Sequence, residues 1–312
     1  MRETRPSATA LLIAQAMAFQ ARVPELSGLT PPDAAEAWER FLTAADPNRA
    51  RLVRRVAGHG WAQALATLGE RAVIPGVRLH YAVRKRYLED AARRALAEGV
   101  SQMVVLGAGL DPLALRLHRE FPDALFVECD HPATQRVKRR ALEGIATGPN
   151  FRLVELDLAK ASLPDVVPTL PDWRREADTL LIAEGLTMYL QAAEVDALFA
   201  FLREHAGPGS RFAFTFMEPQ RNGAIDFPGS TPFVRLWLRM VGEPFTWGIR
   251  REDLPGFLAE RGFSLVEMAG ADLLRQRYLA PAGLADRRLA VGEYLAVAQR
   301  RGQRGPGGAA GA

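Results

Sequence analysis

The chain is poor in cysteine. Cys129 is the only one among 312 residues, so an internal disulfide is excluded and a cysteine-built metal cluster is not expected. Lysine is nearly as scarce, occurring at positions 85, 138 and 160, and arginine carries most of the positive charge. The net charge of +4 is modest, and no basic stretch is interleaved with aromatic residues, so a nucleic-acid partner is not expected. No stretch approaches the roughly 20 apolar residues that span a bilayer, so no membrane partner is expected either. The segment from Ala8 to Ala21 is apolar enough to imitate a secretory leader. Glu3 in front of it, and Gln15 and Gln20 within it, argue instead for an N-terminal helix in a cytoplasmic protein. The histidines (59, 80, 118, 131 and 205) are scattered without a partner at catalytic spacing, and structural roles are expected for them. No internal repeat is present.

What the chain has is enough apolar residue, 48%, for a full core. Helix-period spacing predicts helices at Thr9–Arg22, Ala34–Ala44, Asn48–His59 and from about Val83 to Glu98, with Gly99 as the stop of the last. From Met103 onward, strand patterns at 103–107, 124–129, 151–156, 179–183, 210–216, 263–268 and 293–298 alternate with helix-length segments. That alternation predicts an α/β fold, a Rossmann-like, mostly parallel seven-stranded sheet. Only a short link, Ala269 to Gly292, separates the last two strands, which predicts an antiparallel final strand. Residues 217–250 read as an irregular, aromatic-rich insertion overhanging the strand ends, a candidate substrate lid. The expected organisation is a helical cap (1–100), a core (101–301) and a disordered Gly/Ala/Pro-rich tail (302–312).

Residues 103–111, Met-Val-Val-Leu-Gly-Ala-Gly-Leu-Asp, are the most informative. A buried strand stops at Gly107 and Gly109, where the backbone must approach a ligand closely. The next strand ends in Glu128, Cys129 and Asp130, and an acid there accepts from ribose hydroxyls. A dinucleotide site would want a third glycine, but Pro112 stands at that position and Asp111 would repel a phosphate. Asp157 and Glu184 close two further strands, so the crevice at the strand ends carries an excess of carboxylates. Such a crevice suits a cation, and S-adenosylmethionine is an adenosine that carries a sulfonium and an ammonium. A nicotinamide-dependent reductase and a catalytically silent binding protein are the alternatives.

Several strings resemble the leucine carboxyl methyltransferase family of class I methyltransferases, including its bacterial small-molecule members. They are Ser7-Ala8-Thr9-Ala10, Asp46-Pro47, Arg84-x-Arg86 before Glu89-Asp90, Leu106-Gly-Ala-Gly-Leu-Asp111, Glu128-Cys-Asp130-His-Pro132, Asp157-Leu158, Glu184-Gly-Leu-Thr-Met-Tyr-Leu190 and Gly207-Pro-Gly-Ser210. Pro112 and Cys129 depart from the family's usual Thr and Val. The resemblance implies that Arg84 pairs with the methionine carboxylate and that Gly107 and Gly109 pass beneath the methionyl-ribose part. It further implies that Asp130, with Glu128, takes the ribose hydroxyls, that Asp157 and Leu158 read the adenine, and that Glu184 faces the methionyl ammonium or the substrate, with Tyr189 a helical turn or so further along. Glu184 and Tyr189 are the candidate catalytic residues.

Methyl transfer is an in-line displacement that rests chiefly on alignment in a dry pocket. A carboxylate acceptor needs no base; a hydroxyl acceptor would draw on His80, His131 or Tyr189. The expected acceptor is a small apolar or aromatic carboxylate or phenol, because Phe216, Phe227, Phe233, Trp237, Phe245 and Trp247 fall beside the predicted crevice mouth. Oligomeric state is not legible.

Overall fold

A computed structural model describes residues 6–302. Six helices come first: α1 (Ala8–Gln20), α2 (Pro24–Ser27), α3 (Pro32–Ala45), α4 (Pro47–Val56), α5 (Gly60–Val73) and α6 (Val77–Ala97). Their ends follow from local chemistry. Ser7 caps α1 by accepting from the Ala10 amide, and Asp46 caps α4 by accepting from Asn48 and Arg49. Pro47 then occupies the first helical position, where its missing N–H costs nothing. At the end of α6, Gly99 takes φ 99°. The Val100 amide there returns to the Ala95 carbonyl and that of Gly99 to Leu96, which closes the helix in a Schellman turn.

The sheet is built from β1 (Gln102–Leu106), β2 (Leu125–Asp130), β3 (Phe151–Glu155), β4 (Thr179–Ala183), β5 (Arg211–Met217), β6 (Phe263–Ala269) and β7 (Glu293–Arg300). Between them lie α7 (Leu113–Glu120), α8 (Pro132–Ala141), α9 (Leu163–Val166), α10 (Ala192–His205), α11 (Pro232–Val241), α12 (Leu254–Glu260) and α13 (Ala271–Leu274). All seven strands start within one residue of the sequence expectation. The order is β3-β2-β1-β4-β5-β7-β6. β1 to β5 pair in parallel, and β7 inserts antiparallel between β5 and β6. The seven-stranded sheet with its reversed last strand is therefore the expected class I methyltransferase architecture.

Every residue of β1 and β4 is buried, as strands covered on both faces require. The order reverses between β1 and β4, and ligands of open α/β sheets bind in the crevice at such a point. One hydrophobic cluster joins Met17, Phe41, Tyr87 and Leu88 of the leading helices to Met103, Phe126 and Leu180 of the sheet. The helical segment thus shares its core with one face of the sheet.

Three features differ from expectation. Helix α5 is absent from the sequence reading because its apolar residues Trp61, Leu65 and Leu68 are exposed and mark no buried face. Helix α6 begins at Val77, six residues before the expected Val83, and the missed turns carry His80 and Tyr81. The 217–250 insertion is not wholly irregular, since it contains α11, and the link between β6 and β7 contains α13 and a π-helical turn at Arg275–Leu279. No helix among the described residues is long and apolar enough to cross a membrane. The tail expectation falls, beyond Gly302, outside the described residues.

Candidate active site

The loop after β1 is held by its backbone. Gly107 and Gly109 take φ 65° and 54°, conformations open to glycine at no steric cost. The Gly109 amide donates to Asp130 Oδ2 at 2.6 Å, and the Gly107 amide donates to the Cys129 carbonyl at 2.8 Å. A Cβ on Gly109 would lie 3.3 Å from Ala10 Cβ of α1, and one on Gly107 would lie 3.1 Å from Leu186 Cδ1. The cradle therefore has room for backbone and little else. Asp111 accepts from the Leu113 amide at 2.7 Å and pairs with Lys85. It fixes the start of α7, as an acid at a helix N-terminus does.

At the end of β2, Asp130 also accepts from the His131 amide at 2.6 Å. Burial pushes its carboxyl above the ordinary value, although both amide bonds and the Lys138 charge oppose the shift. Glu128 lies two residues deeper and is not brought to the crevice surface: it is 1% exposed and paired with the buried Lys138. Burial outweighs that pairing and pushes Glu128 up to about 7. Asp157, beyond β3, is one-fifth exposed and accepts from the Ala159 amide at 3.1 Å. Leu158 beside it is half-buried. His131 Nδ1 accepts from the Ala133 amide as the cap of α8, and Nε2 lies 3.7 Å from Asp157. That ring is committed to the fold.

The largest departure from expectation is what surrounds Arg84. Its Nε donates to Glu184 at 2.9 Å, and its Nη1 donates to both oxygens of Glu293 at 2.9 and 3.0 Å. Lys85 adds a contact to Glu184 at 3.0 Å, and His80 Nε2 lies 2.8 Å from Glu293. Nη2 takes part in neither pair and lies against Gly185. Burial disfavours the Arg84 charge, but Glu293 and Glu184 overcome it and hold the guanidinium more firmly protonated than usual. Burial likewise opposes ionisation of Glu293, yet Arg84 and His80 bring it down to about 2. Sequence reasoning missed Glu293. The available signal was an acid opening the otherwise apolar Glu-Tyr-Leu-Ala-Val-Ala strand, a charge that needs a buried partner.

Beside this network lies a cavity of about 450 Å³. Arg84 of α6, and Gly185 and Glu293 at the sheet's strand ends, are among its lining residues, with Tyr81, Met188, Tyr189, Phe227, Trp237 and Phe245. Tyr189 sits in a 3-10 turn after β4, with its ring 5.3 Å from that of Phe245, and burial pushes its phenol up. Of the six aromatic residues expected at the mouth, Phe227, Phe233, Trp237 and Phe245 line the cavity. Phe216 and Trp247 do not. Strand alternation turns Phe216 into the opposite core, stacked 5.7 Å from Tyr294, and Trp247 packs 5.7 Å from Phe257. The insertion is tied to the N-terminal helix, because Glu243 accepts from the Ser7 hydroxyl at 2.9 Å and from that of Thr9.

This fold, with a glycine loop and acids at its switch point, defines a class I methyltransferase. Solved structures share it. A "putative methyltransferase" from Thermobifida fusca aligns with TM-score 0.55 and 19% identity over 89% of this chain and 98% of that one. A DUF574 family protein from Streptomyces avermitilis aligns with the same score and identity over 72% and 84%. Residues 15–203 match the family model described as leucine carboxyl methyltransferase, and the chain belongs to that family. A "Putative S-adenosyl-L-methionine-dependent methyltransferase" of Mycobacteroides abscessus is 31% identical over 72% of this chain and 79% of its own length. YktD of Bacillus subtilis, with the same description, is 28% identical over 61% and 62%. The protein is an S-adenosylmethionine-dependent methyltransferase, and the nicotinamide alternative falls.

Proposed function

We propose that the protein methylates an oxygen, carboxylate or hydroxyl, of a small and largely apolar or aromatic acceptor held in the 450 Å³ cavity. One observation carries this reading: the cavity's aromatic walls lead inward to Arg84 and Gly185, which also border the crevice at the strand ends. Apolar pockets with a few polar groups at one end are the usual form of small-ligand sites.

The cofactor residues fit the donor. Bound S-adenosylmethionine supplies an electrophilic methyl group on a sulfonium that departs as a neutral thioether. In this reading Asp130 accepts from the ribose hydroxyls. Asp157 accepts from the adenine amino group, and the Leu158 amide donates to the ring. Gly107 and Gly109 keep the floor free of side chains. Arg84, through the nitrogen its ion pairs leave unused, meets the methionine carboxylate, and Glu184 faces the ammonium. Tyr189 and the aromatic walls exclude water and hold the acceptor in line. A carboxylate acceptor attacks as it stands. A hydroxyl acceptor must lose its proton, and because His80 and His131 are occupied by Glu293 and by the α8 cap, that proton would go to solvent and the acceptor would enter as its oxyanion. The protein is further proposed to work in the cytoplasm on a free small molecule.

The test is a methyl-transfer screen with labelled S-adenosylmethionine over aromatic acids, phenols and peptides ending in a free carboxylate. Labelling of aromatic acids or phenols is the expected result. Turnover of peptides alone would overturn the small-molecule reading and favour the acceptor that the family's description names.

A further inference from the structure

Most polar groups lining the inner cavity are already spoken for. Arg84 and Glu293 are bonded to each other, and Glu184 and His80 complete the set. The Tyr189 phenol lies against the Thr9 hydroxyl, which itself donates to Glu243. Arg49, nearer the outside, pairs with Asp46 at 3.1 Å.

Apart from Arg84 Nη2, assigned above to the methionine carboxylate, Tyr81 is the exception. It stands one helical turn before Arg84 on α6, with its ring 5.0 Å from the guanidinium carbon. The ring lines the cavity, and its hydroxyl has no hydrogen-bond partner among the described residues. Nor is the oxygen sealed inside the protein. Burial pushes the phenol up to about 12, so at neutral pH the group is a hydrogen-bond donor. A hydroxyl in an apolar wall is costly unless something accepts from it.

We propose that Tyr81 binds and orients the acceptor by donating its hydroxyl hydrogen to the acceptor's oxygen at the cavity end bordered by Arg84 and Gly185. This assignment rests on the reading of the cavity as the acceptor site. A donor at that point fixes the direction of the oxygen and leaves a lone pair for attack. It serves a carboxylate and a phenolate equally.

Tyr81→Phe removes only the oxygen. The ring, its contact with Arg84 and its packing on α6 remain, and no intramolecular hydrogen bond is lost, so the variant should fold as the parent does. Two probes of the same shape, 2-naphthol and 2-methylnaphthalene, are titrated into both proteins saturated with S-adenosylhomocysteine. Tyr81→Phe should weaken 2-naphthol by about three- to tenfold, the worth of one hydrogen bond, and leave 2-methylnaphthalene unchanged. Affinity for S-adenosylhomocysteine should not move. Undiminished naphthol binding, equal loss for both probes, or loss of S-adenosylhomocysteine affinity overturns the assignment while leaving the cavity as acceptor site. Failure of both probes to bind the parent overturns the cavity reading and the Tyr81 assignment together.

Discussion

Replacing Arg84 with lysine should cost both stability and cofactor binding, and the structure sets the size of the effect. The guanidinium makes three contacts of 2.9–3.0 Å to two carboxylates, the half-buried Glu184 beyond β4 and the buried Glu293 at the start of β7. An ammonium keeps the charge but is a point donor, so it can satisfy one carboxylate well and not both. The variant therefore loses about one charge-assisted interaction, or ~2–3 kcal/mol. Removing the charge altogether, as in Arg84→Met, leaves Glu293 with His80 and Glu184 with Lys85 as remaining partners and should cost more, up to ~3–5 kcal/mol. Unfolding entropy is roughly 2.1 cal/mol/K per residue, so for this chain a loss of ~2.5 kcal/mol lowers Tm by about 4 °C. Urea titration at pH 7.5, with and without S-adenosylhomocysteine, measures both effects. Because the network shapes the crevice, ligand-induced stabilisation should shrink as well. If Arg84→Lys unfolds at the parent's urea midpoint and keeps the full ligand-induced shift, the fork at Arg84 organises nothing.

Other consequences concern Asp157 and the acid side of the stability profile. Asp157→Ala should weaken S-adenosylhomocysteine binding by ~1–3 kcal/mol, the cost of leaving a buried adenine donor unpaired; unchanged affinity by calorimetry would remove adenine recognition from this residue. The folded state holds Glu293 at about 2, below the ordinary 4.5. Its stabilising contribution is present above pH ~4.5 and is lost as pH falls toward 2. Glu293→Gln should thus be less stable than the parent at neutral pH, with the gap closing in acid. Glu128 is shifted the opposite way, to about 7, so its contribution is present below pH ~4.5 and lost as pH rises through 7. Glu128→Gln should flatten the profile across that window, and melting curves from pH 4 to 8 will show whether it does.

The sheet was legible because parallel strands buried on both faces leave short apolar runs, and each run here stops at a glycine or an acid that marks its carboxyl end. The residues proposed to hold the cofactor were picked out for the same reason, since Gly107, Gly109, Asp130, Asp157 and Glu184 all sit at strand ends. Glu128 shows the limit of that logic. Its position two residues before Asp130 is a matter of strand period, but Lys138, which covers it from α8, is a tertiary contact. Glu293 was hidden because it meets Arg84 from 209 residues away, and no local pattern announces such a pair. Tyr81 was hidden because the start of α6 was placed too late. The aromatic set was half-legible: α11 and the segment after it turn their rings to the cavity, whereas the alternation of β5 takes Phe216 to the other side.

The central claim is that two half-sites meet at Arg84: a crevice for the methyl donor ending at Asp130, and an aromatic cavity for the acceptor. Calorimetric titration of S-adenosylhomocysteine into the parent, Asp130→Asn and Trp237→Ala tests it most directly. Binding should be about tenfold or more weaker in Asp130→Asn, which loses the charged acceptor for the ribose hydroxyls, and unchanged in Trp237→Ala. Undiminished binding in Asp130→Asn, or a matching loss in Trp237→Ala, would contradict the account.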